Sequence, residues 1–170
     1  EQGESIQSKF ADHMLFLGNP GTGKTTVARI VSTIFSSLGL LPKGQLIEAD
    51  RQQLVASFVG KTAEKTTELI NQSMGGTLFI DEAYTLVKGG ENDFGKEAID
   101  TLLKRMEDDR GKFICIAAGY TDDMHKFLES NPGLQSRFTK KIEFEDYSPD
   151  ELMVIAHSIF KSKDLKMSPE

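Results

Sequence analysis

Gly18-Asn19-Pro20-Gly21-Thr22-Gly23-Lys24-Thr25 decides the fold of this chain, because it lies between a short apolar run and an amphipathic one. Before it, His13-Met14-Leu15-Phe16-Leu17 reads as a buried strand. After it, Val27, Ile30, Val31, Ile34, Phe35 and Leu38 recur at helical spacing until Gly39 offers a C-terminal cap. Strand, glycine-rich turn and helix in that order form a phosphate-binding loop. Its glycines let backbone N–H groups close on phosphate oxygens, and the helix N-terminus adds partial positive charge. Lys24 supplies a point charge for the β- and γ-phosphates of a nucleotide, and the Thr25 hydroxyl suits the coordination shell of Mg²⁺.

The remaining pattern alternates strand and helix. Residues 41–44 read as a turn, 45–49 as a weakly alternating strand, 50–56 as a short helix and 62–73 as a longer one. Gly75-Gly76 leads into the apolar strand 77–80, and Phe94, Ala98, Leu102 and Met106 mark an amphipathic helix over 94–108 that Gly111 ends. A strand over 113–118, a helix over 121–129, a turn at Asn131-Pro132-Gly133 and a strand over 141–144 follow. This order predicts an α/β protein with a largely parallel sheet sandwiched by helices. Ser148-Pro149-Asp150-Glu151 then opens a last helix through a capping box, with Pro149 at the first helical position. The chain therefore divides into 1–147, a large nucleotide-binding unit, and 148–170, the start of a truncated helical unit.

Composition narrows the function. A length of 170 residues suits a single core, and the one cysteine, Cys115, lies in an apolar run, which points to a buried thiol in a reducing compartment. No apolar run reaches the roughly 18 residues of a membrane span, and Glu1-Gln2-Gly3-Glu4-Ser5 lacks the features of a signal peptide. A cytoplasmic protein without membrane insertion is expected. The net charge of −6 argues against sequence-independent nucleic-acid binding; Lys140-Lys141 and Lys161, Lys163 and Lys166 read as solvated faces. His13, His125 and His157 lack metal-ligand spacing.

A second constellation is Leu78-Phe79-Ile80-Asp81-Glu82, which puts two carboxylates at the C-terminal end of a buried strand, the edge where open α/β sheets bind ligands. Asp81 suits Mg²⁺, directly or through water, and Glu82 suits orienting and deprotonating an attacking water. Two solvated carboxylates at a strand end are the alternative reading.

With these residues in hand, the chain resembles the AAA+ ATPases, and within them the group that includes red-type Rubisco activase and stage V sporulation protein K. The resemblance runs from about residue 13 to the end. It is carried by Gly18 to Thr25 with Thr26, by Met74-Gly75-Gly76, by Leu78 to Glu82 with Ala83-Tyr84, by Ala118-Gly119-Tyr120, and by Asn131-Pro132-Gly133-Leu134-Gln135-Ser136-Arg137-Phe138. It implies a P-loop NTPase fold, a three-layer α/β/α sandwich on a five-stranded parallel sheet of order 5-1-4-3-2, followed by a small helical subdomain. It also implies ATP and Mg²⁺ as ligands, self-association into a hexameric ring, and remodelling of a client protein.

Within that resemblance, Arg137 matches the arginine finger that reaches the γ-phosphate in the adjacent protomer. Ser57-Phe58-Val59-Gly60 matches the first pore loop, with Phe58 as the gripping side chain; without the resemblance, Phe58 and Val59 read as core residues. The stretch 86–95 reads equally as a second pore-facing loop or a solvated one. Tyr120 stands where many relatives carry a γ-phosphate-sensing Asn, so its phenol is a candidate sensor. The family's second-sensor Arg and full adenine-contacting segment fall outside the chain, which reads as an excised core. Two further functions stay open beside ATP-driven remodelling. One is a nucleotide-dependent binding module with little turnover; the other is a small-molecule kinase or GTPase, which the lack of an Asn-Lys-x-Asp motif disfavours.

Overall fold

The computed structural model describes residues 12–90, 92–145 and 148–161. Strand β1 (His13–Leu17) is buried along its whole length, and helix α1 (Lys24–Ser37) follows the glycine-rich loop. Gly39, at φ 74°, ends α1 as expected, donating its N–H to the Ser36 carbonyl at 2.9 Å. Then come β2 (Leu46–Ala49), the one-turn α2 (Arg51–Leu54), α3 (Lys61–Ser73) and β3 (Thr77–Ile80). A 3-10 helix (Ala83–Val87) precedes α4 (Gly95–Asp108), β4 (Ile114–Gly119) and α5 (Thr121–Glu129). The short α6 (Pro132–Arg137) runs into β5 (Phe138–Glu143), and α7 (Pro149–Lys161) closes the described chain.

The five strands form one parallel sheet in the order β2-β3-β4-β1-β5, which is the expected 5-1-4-3-2 read from the other edge. Period-2 alternation then builds two cores from the same strands. Leu15 and Leu17 of β1, Leu78 and Ile80 of β3, and Cys115 and Ala117 of β4 pack with Ile70, Leu102, Phe127 and Leu134 of α3 to α6. Met14, Phe16, Phe79, Ile114 and Ile116 point the other way, onto Val27, Val31 and Phe35 of α1 and Leu152, Ile159 and Phe160 of α7. The sheet is thus the middle of three layers. The interior strands read as continuous apolar runs because both of their faces are covered.

Four expectations are corrected. Asn131-Pro132-Gly133 does not turn the chain but starts a helix: the Asn131 side chain accepts the Gly133 N–H at 2.8 Å, and Pro132 occupies the first turn, where a missing N–H costs nothing. The last strand begins at Phe138 rather than 141. It is an edge strand, so Thr139 and Lys141 face outward while Phe138 is buried against His13 and Phe127, with ring centroids 6.3 Å from each. The short helix after β2 covers four residues of the 50–56 expected, and β4 sits one residue later than 113–118. The segments 1–11 and 162–170, with Lys163 and Lys166 among the latter, lie outside the described residues.

Candidate functional site

The loop between β1 and α1 folds on itself. Lys24 Nζ donates to the Gly18 and Asn19 carbonyls at 2.8 Å each, and Thr22 Oγ1 donates to the Asn19 carbonyl at 2.8 Å. Gly18, Gly21 and Gly23 take φ of 151°, 74° and 91°, conformations that L side chains rarely adopt. Their surroundings differ. A Cβ on Gly18 would stand 2.6 Å from the Phe144 carbonyl oxygen, and one on Gly23 would stand 2.7 Å from a Leu152 methyl of α7, whereas one on Gly21 would meet nothing within 4 Å. The loop is therefore backed by protein on one side and open on the other. Burial lowers the Lys24 pKa below the ordinary lysine value, and the nearby Asp81 and Glu82 carboxylates oppose that shift.

The open side forms a cleft of about 380 Å³ bordered by Gly21, Lys24, Thr25, Asp81, Glu82 and Tyr120. Adjacent strands of a parallel sheet deliver these groups to one edge: β1 ends at the loop, β3 at Asp81, and β4 at Gly119. Gly18 ties the edge together by donating its N–H to the Gly119 carbonyl at 3.1 Å. Glu82 is the only non-glycine residue with positive φ among those described, at φ 48° and ψ 46°. Such left-handed backbone costs about 1–2 kcal/mol for an L-residue and concentrates at functional sites. Here it swings Glu82 out of the strand direction, and the Asp81 carboxylate accepts the Glu82 N–H at 3.0 Å.

Tyr120, at the N-terminus of α5, borders the cleft and is 37% exposed. Tyr84 lies behind it, its ring centroid 6.0 Å away, with Lys88 Nζ 4.4 Å from the Tyr84 centroid on the chain's own 3-10 turn. Burial and then the Glu82 charge raise the Tyr84 pKa, so its phenol stays neutral at physiological pH. The sequence marks Tyr84 only as part of the motif that carries the family resemblance and assigns it no role, although its position two residues after Glu82 is a usable signal. Gly119 makes the approach possible, since a Cβ there would stand 2.8 Å from both Met124 Sδ and Tyr84 Cδ1.

Thr25 and Asp81 bring a hydroxyl and a carboxylate to the same cleft, the hard oxygen donors that Mg²⁺ accepts. Among the described residues no group of three or more His, Cys, Asp or Glu is placed to hold a metal. These residues fit an ion that takes its other ligands from water and phosphate, as Mg²⁺ does. Arg137 is not among the residues bordering the cleft. It ends α6, with Nη1 donating to the Gly133 carbonyl at 3.4 Å, Nη2 3.6 Å from Glu107, and a buried Nε without a hydrogen-bond partner.

Phe58 and Val59 are 75% and 86% exposed, so they are not the core residues that hydrophobicity alone suggests. The base of their loop is well anchored: Lys65 Nζ donates to the Gln52 carbonyl at 2.9 Å, and Thr62 Oγ1 accepts the Ala56 N–H at 3.0 Å. Gly60, at φ 79°, turns the chain into α3. Within the stretch 86–95, the Asp93 carboxylate is ion-paired with Arg51.

The geometry agrees with comparisons across known proteins. A family model described as "ATPase family associated with various cellular activities (AAA)" matches residues 14–146. Stage V sporulation protein K of Bacillus subtilis (strain 168) is 55% identical over 170 residues, which is 100% of this chain and 52% of that protein. ESX-1 secretion system protein EccA1 of Mycobacterium tuberculosis (strain ATCC 25618 / H37Rv) is 49% identical over 161 residues, 93% of this chain and 28% of that protein. ESX-3 secretion system protein EccA3 of Mycobacterium leprae (strain TN) is 49% identical over 155 residues, 91% of this chain and 24% of that protein. The chain thus spans about half of the first of these relatives and about a quarter of the other two. With the matched region running from β1 through the loop, the Asp81-Glu82 turn and β5, this chain belongs to the AAA family of ATPases.

Proposed function

We propose that this chain is the nucleotide-hydrolysing core of a ring-forming machine that remodels a client protein. The observation that carries the reading is the meeting of the Lys24 loop with the left-handed Glu82 turn across one cleft. In this reading, the N–H groups of residues 21–24 and the Lys24 ammonium receive the β- and γ-phosphates, releasing Lys24 from its carbonyl partners. Thr25 and Asp81 would hold Mg²⁺, which would supply charge neutralisation to the phosphates. A Glu82 carboxylate oxygen orients the attacking water and accepts its proton. Tyr120, backed by Tyr84, reports the presence of the γ-phosphate through its hydroxyl.

Arg137 acts in the neighbouring subunit's cleft, where its guanidinium meets charge spreading onto the γ-phosphoryl oxygens. It does not border the cleft of its own subunit, which favours low turnover by a lone subunit, so an isolated core would behave as a nucleotide-dependent binding module. The exposed Phe58-Val59 step faces the centre of the ring and grips an unfolded polypeptide segment. Residues 148–170 begin the small helical subdomain. Sporulation and secretion appear in the names of the relatives, and the client is proposed to be a protein component of such an assembly. The machine works in the cytoplasm without inserting in the membrane; among the described residues, no helix is long and apolar enough to cross one.

The test separates binding from turnover. Lys24→Ala removes the side-chain cation of the cradle and is expected to abolish ATP binding measured by calorimetry. Glu82→Gln keeps the cradle and Asp81, so ATP affinity should stay near that of the parent while hydrolysis by the full-length protein falls by roughly 10²–10⁴. Parental ATP affinity in the first variant, or parental turnover in the second, would overturn the assignment.

A further inference from the structure

The left-handed backbone at Glu82 has to be held by something, since a Glu released from its surroundings returns to a more populated conformation. Two bonds hold it from downstream. The Thr85 N–H and the Thr85 hydroxyl both donate to the Glu82 carbonyl oxygen, at 3.0 and 2.7 Å. Thr85 is held in turn: its own carbonyl accepts Nη1 of Arg51 at 2.7 Å. Arg51 does not float there. Its Nη1 also reaches Asp93 Oδ2 at 2.9 Å, and its Nη2 bonds Asp93 Oδ1, closing a two-pronged ion pair.

The sheet explains how residues so far apart in sequence converge. β2 and β3 are parallel neighbours, with Ala49 opposite Ile80, so the residues just beyond each strand, Arg51 and the Glu82 turn, leave the same edge side by side. Asp81 N–H donates to the Ala49 carbonyl at 2.8 Å, and Asp50 caps α2 through the N–H groups of Gln52 and Gln53, which sets Arg51 in the first turn. From the other side, the glycine-rich segment brings in Asp93. Gly95 has no room for a side chain: a Cβ would stand 2.1 Å from the Leu86 carbonyl oxygen and 2.9 Å from both Arg51 Nη1 and Asp93 Oδ2. A Cβ on Gly89 would stand 2.1 Å from the Asp93 carboxyl carbon. These two glycines let the backbone approach the ion pair closely, which gives Gly89, Asp93 and Gly95 a role inside the subunit. The hydrogen bond from Arg51, above all, holds the Asp93 carboxyl below the usual carboxylate range, so the pair stays charged at neutral pH.

Resting on the assignment of Glu82 as the water-activating group, we propose that Thr85, Arg51 and Asp93 are its positioning residues: a relay of hydrogen bonds that fixes the Glu82 backbone and so aims its carboxylate into the cleft. None of the three borders the cleft itself, so the relay acts on the placement of Glu82 and leaves the nucleotide's own contacts alone. Arginine is required at its centre because one planar fork makes two bonds to Asp93 and a third to the Thr85 carbonyl, which a lysine ammonium cannot reproduce in that geometry.

Steady-state kinetics of the full-length protein test this. Thr85→Val removes the hydroxyl at constant shape, and kcat for ATP hydrolysis should fall roughly 10- to 100-fold with KM for ATP within about threefold of the parent. Thr85→Ser restores the hydroxyl and should restore kcat. Arg51→Ala should match Thr85→Val, and Arg51→Lys should not rescue it. Amide hydrogen exchange supplies a readout independent of turnover: in Arg51→Ala, residues 82–85 should exchange faster while residues 13–17 and ADP affinity stay parental. Parental kcat in Thr85→Val, or parental exchange at 82–85 in Arg51→Ala, overturns the relay. So does a loss shared equally by ADP affinity, KM and melting temperature, which would mark a merely structural ion pair. If the parent itself fails to hydrolyse ATP, the proposed function fails, and the exchange measurement still decides whether the relay holds the turn.

Discussion

His13 shows how one side chain couples burial to pH. It is 5% exposed, and its Nδ1 accepts the Cys115 N–H at 2.9 Å, so the ring must stay neutral on that nitrogen. Burial pushes its pKa down to about 4; the Asp12 charge opposes this, while those of Arg110 and Arg137 add to it. The folded value lies below the unfolded one, so the native state resists a proton that the unfolded chain accepts. The stability tied to neutral His13 is therefore complete above about pH 6.5 and is lost progressively as pH falls towards 4, by roughly 3 kcal/mol in all. Urea unfolding midpoints measured from pH 7 to 4 should show this slope. His13→Asn keeps an acceptor for the Cys115 N–H and has no titrating ring, so its slope should be shallower; an unchanged slope would assign the effect to carboxylates instead.

At the scale of elements, the glycine-rich loop and the segment after α2 make opposite demands. Gly18 is pinned against the Phe144 carbonyl, while Gly21 faces the open cleft. Gly21→Ala should cost about 1–2 kcal/mol, the strain of left-handed backbone alone. Gly18→Ala adds the overpacking of a closed site, about 1–3 kcal/mol more, and chemical denaturation of the two variants should separate them in that order. Phe58 lies at the other extreme, since three quarters of its surface is in water. Phe58→Ala should leave the melting temperature within a degree or two of the parent, where loss of a buried Phe would cost about 3–5 kcal/mol. Basal ATP hydrolysis should persist while work on a client protein is lost. A large drop in melting temperature would remove the gripping role.

Across the whole molecule, the proposed catalytic groups are distributed unevenly. Lys24, Thr25, Asp81, Glu82 and Tyr120 meet at one cleft, whereas Arg137 stands apart from it beside Glu107. In the proposed mechanism, a cation standing there would serve the cleft of a second subunit. Mixed rings of the full-length protein test this: an Arg137→Ala subunit should recover hydrolysis beside an Arg137-bearing neighbour and should impair hydrolysis in the neighbour whose cleft lacks the arginine it would have supplied. An intact finger is worth ~10³-fold or more in rate, so the effect is readily measured. Activity that simply tracks the fraction of intact subunits would return Arg137 to a local role.

Much of this was legible in the residues alone. The loop at Gly18 to Thr25 was readable because glycine, lysine and threonine at that spacing answer to phosphate chemistry that is local to eight residues. The interior strands were readable because a strand buried on both faces must be apolar throughout, and the order of strands and helices then determined a parallel α/β architecture. Three features were decided only by tertiary structure. The start of β5 depended on Phe138 finding a buried site against His13 and Phe127, which no local pattern encodes. The exposure of Phe58 and Val59 contradicts their hydrophobicity, because the anchored base of their loop holds them away from both cores. The left-handed turn at Glu82 rests on Thr85, Arg51 and Asp93, residues brought together across two strand ends and a glycine-rich loop. Sequence specified each of those side chains, but only the packing of neighbouring strands could bring them within hydrogen-bond distance of one another.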